Sequence, residues 1–413
     1  MVSAGNRAAK LAVLVAALGY FVDIYDLILF GMVRTPSLVD LGYTSQAALT
    51  EEGIYLFNMQ MGGMLVGGIL WGVLGDKRGR LSVLFGSIAM YSLANLANAF
   101  VTDVDSYAIC RLIAGIGLAG ELGAGITLVS ELLGRYQRGI GTAIVAGVGI
   151  MGGLLAGLLG GAFPGIGVHW TTAYIIGGVM GLALLILRIG VVESGMFATL
   201  ATRRDVSRGN FFRLFSNRTR FLKYLAIICV GVPVWYVIGI LCVLSPELGK
   251  ALGLDPAPNA ARALFLFYGG CAGGDLASGL ISQWFKSRRK ALAWFLGAGV
   301  LVTVAYFVVG GVSHTGFYVL CTLGGFAMGY WAVFVTTAAE LFGTNLRATV
   351  TTTVPNFVRG SSVLLTIGFT ALSPSLGILG AAIAVGVVSF GVAFAGLFAL
   401  HETFSVDLDY HET

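Results

Sequence analysis

Twelve runs of roughly twenty apolar residues follow one another along the 413-residue chain, and that recurrence leaves few folds open. The runs lie near 11–33, 53–74, 81–101, 107–130, 139–163, 170–190, 222–244, 262–285, 291–311, 315–339, 346–371 and 376–400. Each is long enough to cross a bilayer as a helix, which satisfies its own backbone hydrogen bonds where no water can. With 57% hydrophobic and 11% charged residues, the chain falls far below the roughly 25% charge of a soluble domain. The expected fold class is an all-α integral membrane protein with twelve transmembrane helices. Its 61 glycines against 8 prolines suit helices that approach closely through small residues.

Charge sets the orientation. With both termini on one side, that side collects Arg7, Lys10, Lys77, Arg78, Arg80, Arg135, Arg138, Lys286, Arg288, Arg289, Lys290, Arg347 and a basic central loop. The opposite side keeps Arg34, Lys250 and Arg262, so the positive-inside rule places both termini in the cytoplasm. Arg7 and Lys10 before an apolar run also fit a signal peptide. The acidic residues in that run and the lack of a small-residue cleavage site favour a retained first helix. Short loops point to a bacterial inner membrane, a monomer is the expected state, and the net charge of +5 follows the membrane rather than any nucleic acid.

Inside the first span, GYFVDIYDLILFGM (19–32) places Asp23 and Asp26 one turn apart on one helical face. A carboxylate in hydrocarbon costs several kcal/mol on insertion scales, about 3 at the helix centre, so both must face protein or water. They hold helices together by hydrogen bonds, or they bind substrate or couple protons. Arg111 and Arg359 are read as the basic residues left inside spans, and each suits a carboxylate or phosphate held by charge-assisted bonds. Arg111 and Asp26 fall at similar depth and could pair. Glu121, ten residues and about 15 Å deeper, marks a second station or a structural contact. In the second half Asp275 and the aromatic residues Trp235, Tyr236, Tyr330 and Trp331 are candidates for the cavity wall, packing being their other reading. The five cysteines imply no disulfide framework, the four histidines lie in loops and the tail, and no metal or cofactor is expected.

The polar stretch 191–221 divides the chain into bundles 1–190 and 222–401, with a tail at 402–413. The halves repeat: SELLGRYQRG (130–139) aligns with AELFGTNLRA (339–348), pairing Glu131 with Glu340 and Arg138 with Arg347. Two parallel six-helix repeats with a site between them form a transporter architecture in which the halves rock.

Gly72 to Arg80 reads GVLGDKRGR, which resembles the loop signature of the major facilitator superfamily between its second and third helices. The expected final basic residue is Leu81, and the second copy, GLISQWFKSRR (279–289), has Gln283 where the first has Asp76. The resemblance implies two pseudo-symmetric six-helix bundles. It also implies cytoplasmic gating by Gly72, Asp76, Lys77, Gly79 and Arg80, with Glu131, Arg138, Glu340 and Arg347 as brackets. The D-x-Y-D of Asp23 to Asp26 and RLIAGIGLAGE (111–121) are similar to the aromatic-acid and phosphate proton symporters. Ile24 and Leu122 depart from those two patterns.

The expected function is proton-coupled alternating-access transport of a small anionic metabolite, with proton coupling at Asp23, Asp26 and Glu121. An uncoupled facilitator or exchanger of a neutral solute or metal ion is the alternative within transport. A non-transporting receptor or a membrane enzyme is the alternative outside it. The chain has no Walker loop, H-E-x-x-H or nucleophile elbow to support an enzyme.

Overall fold

The computed structural model describes residues 2–78, 80–121, 138–193 and 211–404. Within its helices the side chains of 2–12, 75–78, 80–82, 84, 138–144, 146, 190–193, 344–345 and 348 are outside the description. The first half comprises α1 (Val2–Asp40), α2 (Gln46–Arg78), α3 (Arg80–Asn98), α4 (Val104–Leu118), α5 (Arg138–Leu159) and α6 (Trp170–Glu193). The second begins at α7 (Arg218–Tyr236), which runs on through a π-helical turn at Val237–Cys242, and a short α8 (Ser245–Ala251). It continues with α9 (Ala260–Phe285), α10 (Arg288–Val309), α11 (His314–Met328), α12 (Trp331–Glu340) and α13 (Thr344–Ala399).

Among the described residues eight segments are long and apolar enough to cross a membrane, α11 and α12 together forming one broken pass. Breaking α13 at Gly377 gives nine, and α3, α4 and α5 bring the passes to twelve. At φ 68° and ψ 168°, Gly377 adopts a backbone conformation open to glycine and strained for any L side chain. Pro233 inside α7 lacks an N–H for the helical ladder, and the π turn follows within a few residues.

Small residues set the packing. A Cβ at Gly325 would overlap the Phe267 carbonyl, and one at Gly329 would lie 2.6 Å from the Gly274 Cα, so α11 and α9 touch backbone to backbone. Gly63 and Gly115 do the same for α2 and α4.

The halves meet along two seams, α5 against α9 and α2 against α13. At the end opposite the basic loops, Arg34 Nη2 lies 2.5 Å from Glu247 Oε1, both side chains buried. Beside it Arg262 Nε donates to the Ala162 carbonyl at 3.0 Å and the guanidinium stacks over Phe163. Toward the basic end Asn356 Nδ2 donates to the Ala119 carbonyl at 2.8 Å.

Candidate functional site

The α1 helix carries Asp23 and Asp26 into the middle of the molecule, where neither is exposed. Their one-turn spacing gives them different neighbours. Asp23 looks across the seam to α13, with its Oδ2 3.6 Å from Arg359 Nη2. That separation is an ion pair rather than a hydrogen bond. Neither Asp23 oxygen and neither Nε nor Nη1 of Arg359 has a hydrogen-bond partner among the described residues. Tyr20 on α1 lies within electrostatic reach of Asp23, Arg359 and Asp275, and Tyr268 on α9 within reach of Arg359 and Tyr20.

Asp26 instead faces the interior of the first half, its Oδ1 against Gly177 of α6. The pairing of Asp26 with Arg111 that their similar depth allowed is not formed. Arg111 Nη2 donates to Asn95 Oδ1 at 2.6 Å and its guanidinium lies 4.6 Å from the centroid of the Tyr174 ring. Asp26 remains within electrostatic reach of Arg111 without a hydrogen bond to it. The reason is angular: α3 puts Asn95 where it takes the guanidinium.

Other sequence expectations are redirected. Glu121 is engaged in a bidentate pair with Arg188 of α6, at 3.1 Å and 2.5 Å, and Gly19 of α1 leaves the room for it. Arg111 and Arg359 are therefore not alone among basic residues inside spans, since Arg188 and Arg34 are buried too. Asp275 Oδ1 accepts from the Ala332 amide at 3.2 Å, so this carboxylate caps the start of α12 where the tenth pass is broken. The Tyr236 hydroxyl donates to the Ala382 carbonyl at 2.9 Å and the Tyr330 hydroxyl to Val230 at 2.8 Å. Both are thereby tied to backbone within the second half, Trp235 is buried, and Trp331 packs on Phe334. The aromatic hydroxyls near the charged pair belong to Tyr20 and Tyr268, which hydropathy alone did not single out.

At the basic end Glu340 takes Arg288 as its partner, at 3.1 Å and 3.3 Å, not Arg347. Arg347 Nε donates to the Ala339 carbonyl at 3.0 Å. Gly72 lies on α2 facing Thr353. Gly79, Glu131 and the side chains of Asp76, Lys77, Arg80 and Arg138 fall outside the described residues.

Two six-pass halves meeting at a buried acid–base pair are a transporter's geometry, and comparison decides the family. The family model of the Major Facilitator Superfamily matches residues 16–357. The chain belongs to the major facilitator superfamily. It is a secondary transporter in the membrane, with a small-molecule substrate, and not an enzyme.

Within the superfamily it is 30% identical to the 3-(3-hydroxy-phenyl)propionate transporter of Escherichia coli, over 71% of each chain. It is 26% identical to the niacin transporter NiaP of Acinetobacter baylyi, over 81% of this chain and 80% of that one. To the gallate transporter of Pseudomonas putida it is 28% identical, over 75% of this chain and 76% of the other.

Proposed function

We propose that this transporter is a proton symporter for a small aromatic carboxylate, in which the substrate's carboxylate and Asp23 compete for Arg359. The buried, loosely engaged Asp23–Arg359 pair on the seam carries this reading. An arginine in the membrane interior requires an anion, and here Asp23 is the anion when substrate is absent. A substrate carboxylate can bind Arg359 bidentately, which the 3.6 Å contact with Asp23 does not do. Once displaced, a buried Asp23 has lost its counter-charge and takes up a proton. Proton and substrate then bind together and leave together.

The three relatives named above carry, by name, substrates that combine an aromatic ring with a carboxylate. Tyr20 and Tyr268 offer ring faces and hydroxyls beside the pair. The basic end is taken as cytoplasmic by the positive-inside rule, in a bacterial inner membrane, and the transporter acts as a monomer.

Reconstituted transporter should accumulate 3-(3-hydroxyphenyl)propionate, gallate or nicotinate when an inward pH gradient is imposed. Equal uptake with and without the gradient would favour an uncoupled facilitator.

A further inference from the structure

A polar column runs through the interior of the first half, lined by α1, α3, α4 and α6 and set away from the seam. At the end opposite the basic loops, the Ser37 hydroxyl donates to the Arg34 carbonyl at 3.0 Å and accepts from the Tyr107 hydroxyl at 3.4 Å. The Tyr107 and Tyr174 hydroxyls share a hydrogen bond of 2.7 Å. One turn farther along α6, Asp26 lies against Gly177, where a Cβ would overlap its carboxylate. Another turn on, Gly181 faces the Tyr91 ring and the Ser92 hydroxyl. Tyr91 is within electrostatic reach of Asp26, Asp23, Glu121 and Arg188, and so joins the upper column to the bidentate Glu121–Arg188 pair.

Ser37, Tyr107, Tyr174, Asp26 and Tyr91 are all buried. Folded interiors leave few buried polar groups without a hydrogen bond. Among the described residues, several of those without one lie in this column, namely both Asp26 oxygens, the Tyr91 and Ser92 hydroxyls, and atoms of Asn95, Asn98 and Arg111, while others, on Asp23, Arg359, Arg34 and Glu247, lie where the halves meet. The groups facing Asp26 are Asp23 and Tyr25 from α1, Arg111 from α4, Tyr174 from α6, and Asn95 and Tyr91 from α3. From α2, Gln60 donates to the Asp26 carbonyl at 3.4 Å.

We propose that this column is the proton's route from the far face to Asp23, inside the first half and separate from the substrate path between the halves. A proton enters at Ser37 and Tyr107 and passes through Tyr174, each hydroxyl releasing one proton as it receives another. It rests on an Asp26 oxygen and moves one helical turn to Asp23. Nothing is oxidised; at rest Tyr107 donates to Ser37 and Ser37 to the Arg34 carbonyl, so each inward hop reverses these bonds and the hydroxyls rotate back before the next proton. Tyr91 continues the route to Glu121, which Arg188 holds in two hydrogen bonds, so the column is closed below until that pair opens.

The proposal rests on the proton-coupled reading, and its test separates the two. Wild type, Tyr91→Phe and Tyr107→Phe are reconstituted with a trapped pH dye and 3-(3-hydroxyphenyl)propionate. Proton flux accompanying substrate and substrate counterflow at equal pH are both measured. Phenylalanine keeps the ring and removes only the hydroxyl, so in Tyr107→Phe proton flux should fall about tenfold or more while counterflow stays near wild type, whereas Tyr91→Phe, on the closed branch below Asp26, should keep both. Wild-type transport without proton flux would overturn the coupled reading itself. Wild-type proton flux retained in Tyr107→Phe, or counterflow lost together with proton flux in that variant, would overturn the column.

Discussion

Asp23 and Asp26 stand one helical turn apart on α1, yet Asp23 looks across the seam to Arg359 while Asp26 lies against Gly177 inside the first half. On the proposed mechanism, a single turn of helix separates the carboxylate that competes with substrate for Arg359 from one that does not. Replacing Asp26 by Asn keeps shape and removes a proton site. Substrate Kd, measured by titration calorimetry, should stay within about twofold, under 0.5 kcal/mol, whereas proton-driven accumulation is lost. A large loss of affinity would place Asp26 in the substrate site.

The Arg34–Glu247 contact joins the halves at the end away from the basic loops. Thr50 Oγ1 reaches Glu247 at 3.4 Å, and Arg34 Nη1 donates to the Leu49 carbonyl at 3.3 Å. Removing one partner of a buried pair costs roughly 3–5 kcal/mol, enough to shift a two-state balance more than a hundredfold. Glu247→Ala should therefore favour the conformer open at that end. Spin-label distances between the far ends of α1 and α8 would lengthen, and an unchanged distribution would remove the pair from gating.

The Glu121–Arg188 pair lies within one half, so its loss should act on stability rather than on the rocking equilibrium. Arg188→Ala leaves a buried carboxylate and is expected to cost roughly 3–5 kcal/mol. The double Glu121→Leu, Arg188→Leu variant should recover much of this, as read by thermal melting in detergent. A fully additive double variant would show that the two do not act as a pair.

At the basic end, Glu402 follows α13 and binds the start of α10. Its carboxylate accepts from the Arg288 amide at 2.8 Å, the Arg289 amide at 3.4 Å and the Ser287 hydroxyl. Partial burial alone would raise its pKa, but the hydroxyl and amide donors outweigh that and hold it below the ordinary glutamate value. A lowered folded-state pKa gives stability that is present at neutral pH and lost as pH falls through that value. The Tm difference between wild type and Glu402→Gln should be largest near pH 7 and close below about pH 4. A difference that grows on acidification would contradict the assignment.

The twelve crossings were legible because each apolar run must satisfy its backbone within itself, and Gly72 to Arg80 carried the family. The pairing of charges was not. Depth along the membrane suggested Asp26 with Arg111, but rotation about the helix axes gave Arg111 to Asn95 and Asp23 to Arg359. Arg188 lies near the end of its span, where sequence could not separate a buried partner of Glu121 from an interfacial charge. Tyr236 and Tyr330 resemble cavity residues by composition, yet their hydroxyls go to backbone carbonyls that only tertiary packing brings near.

Competition between Asp23 and substrate for Arg359 is tested most directly by the pH dependence of substrate affinity in wild type and Asp23→Asn. Kd for 3-(3-hydroxyphenyl)propionate should weaken in wild type as pH rises, approaching tenfold per unit, because substrate must displace a charged Asp23. Asparagine leaves Arg359 free of its anion, so the variant should bind tightly and with little change across the same range. A wild-type pH dependence retained in Asp23→Asn would contradict the account.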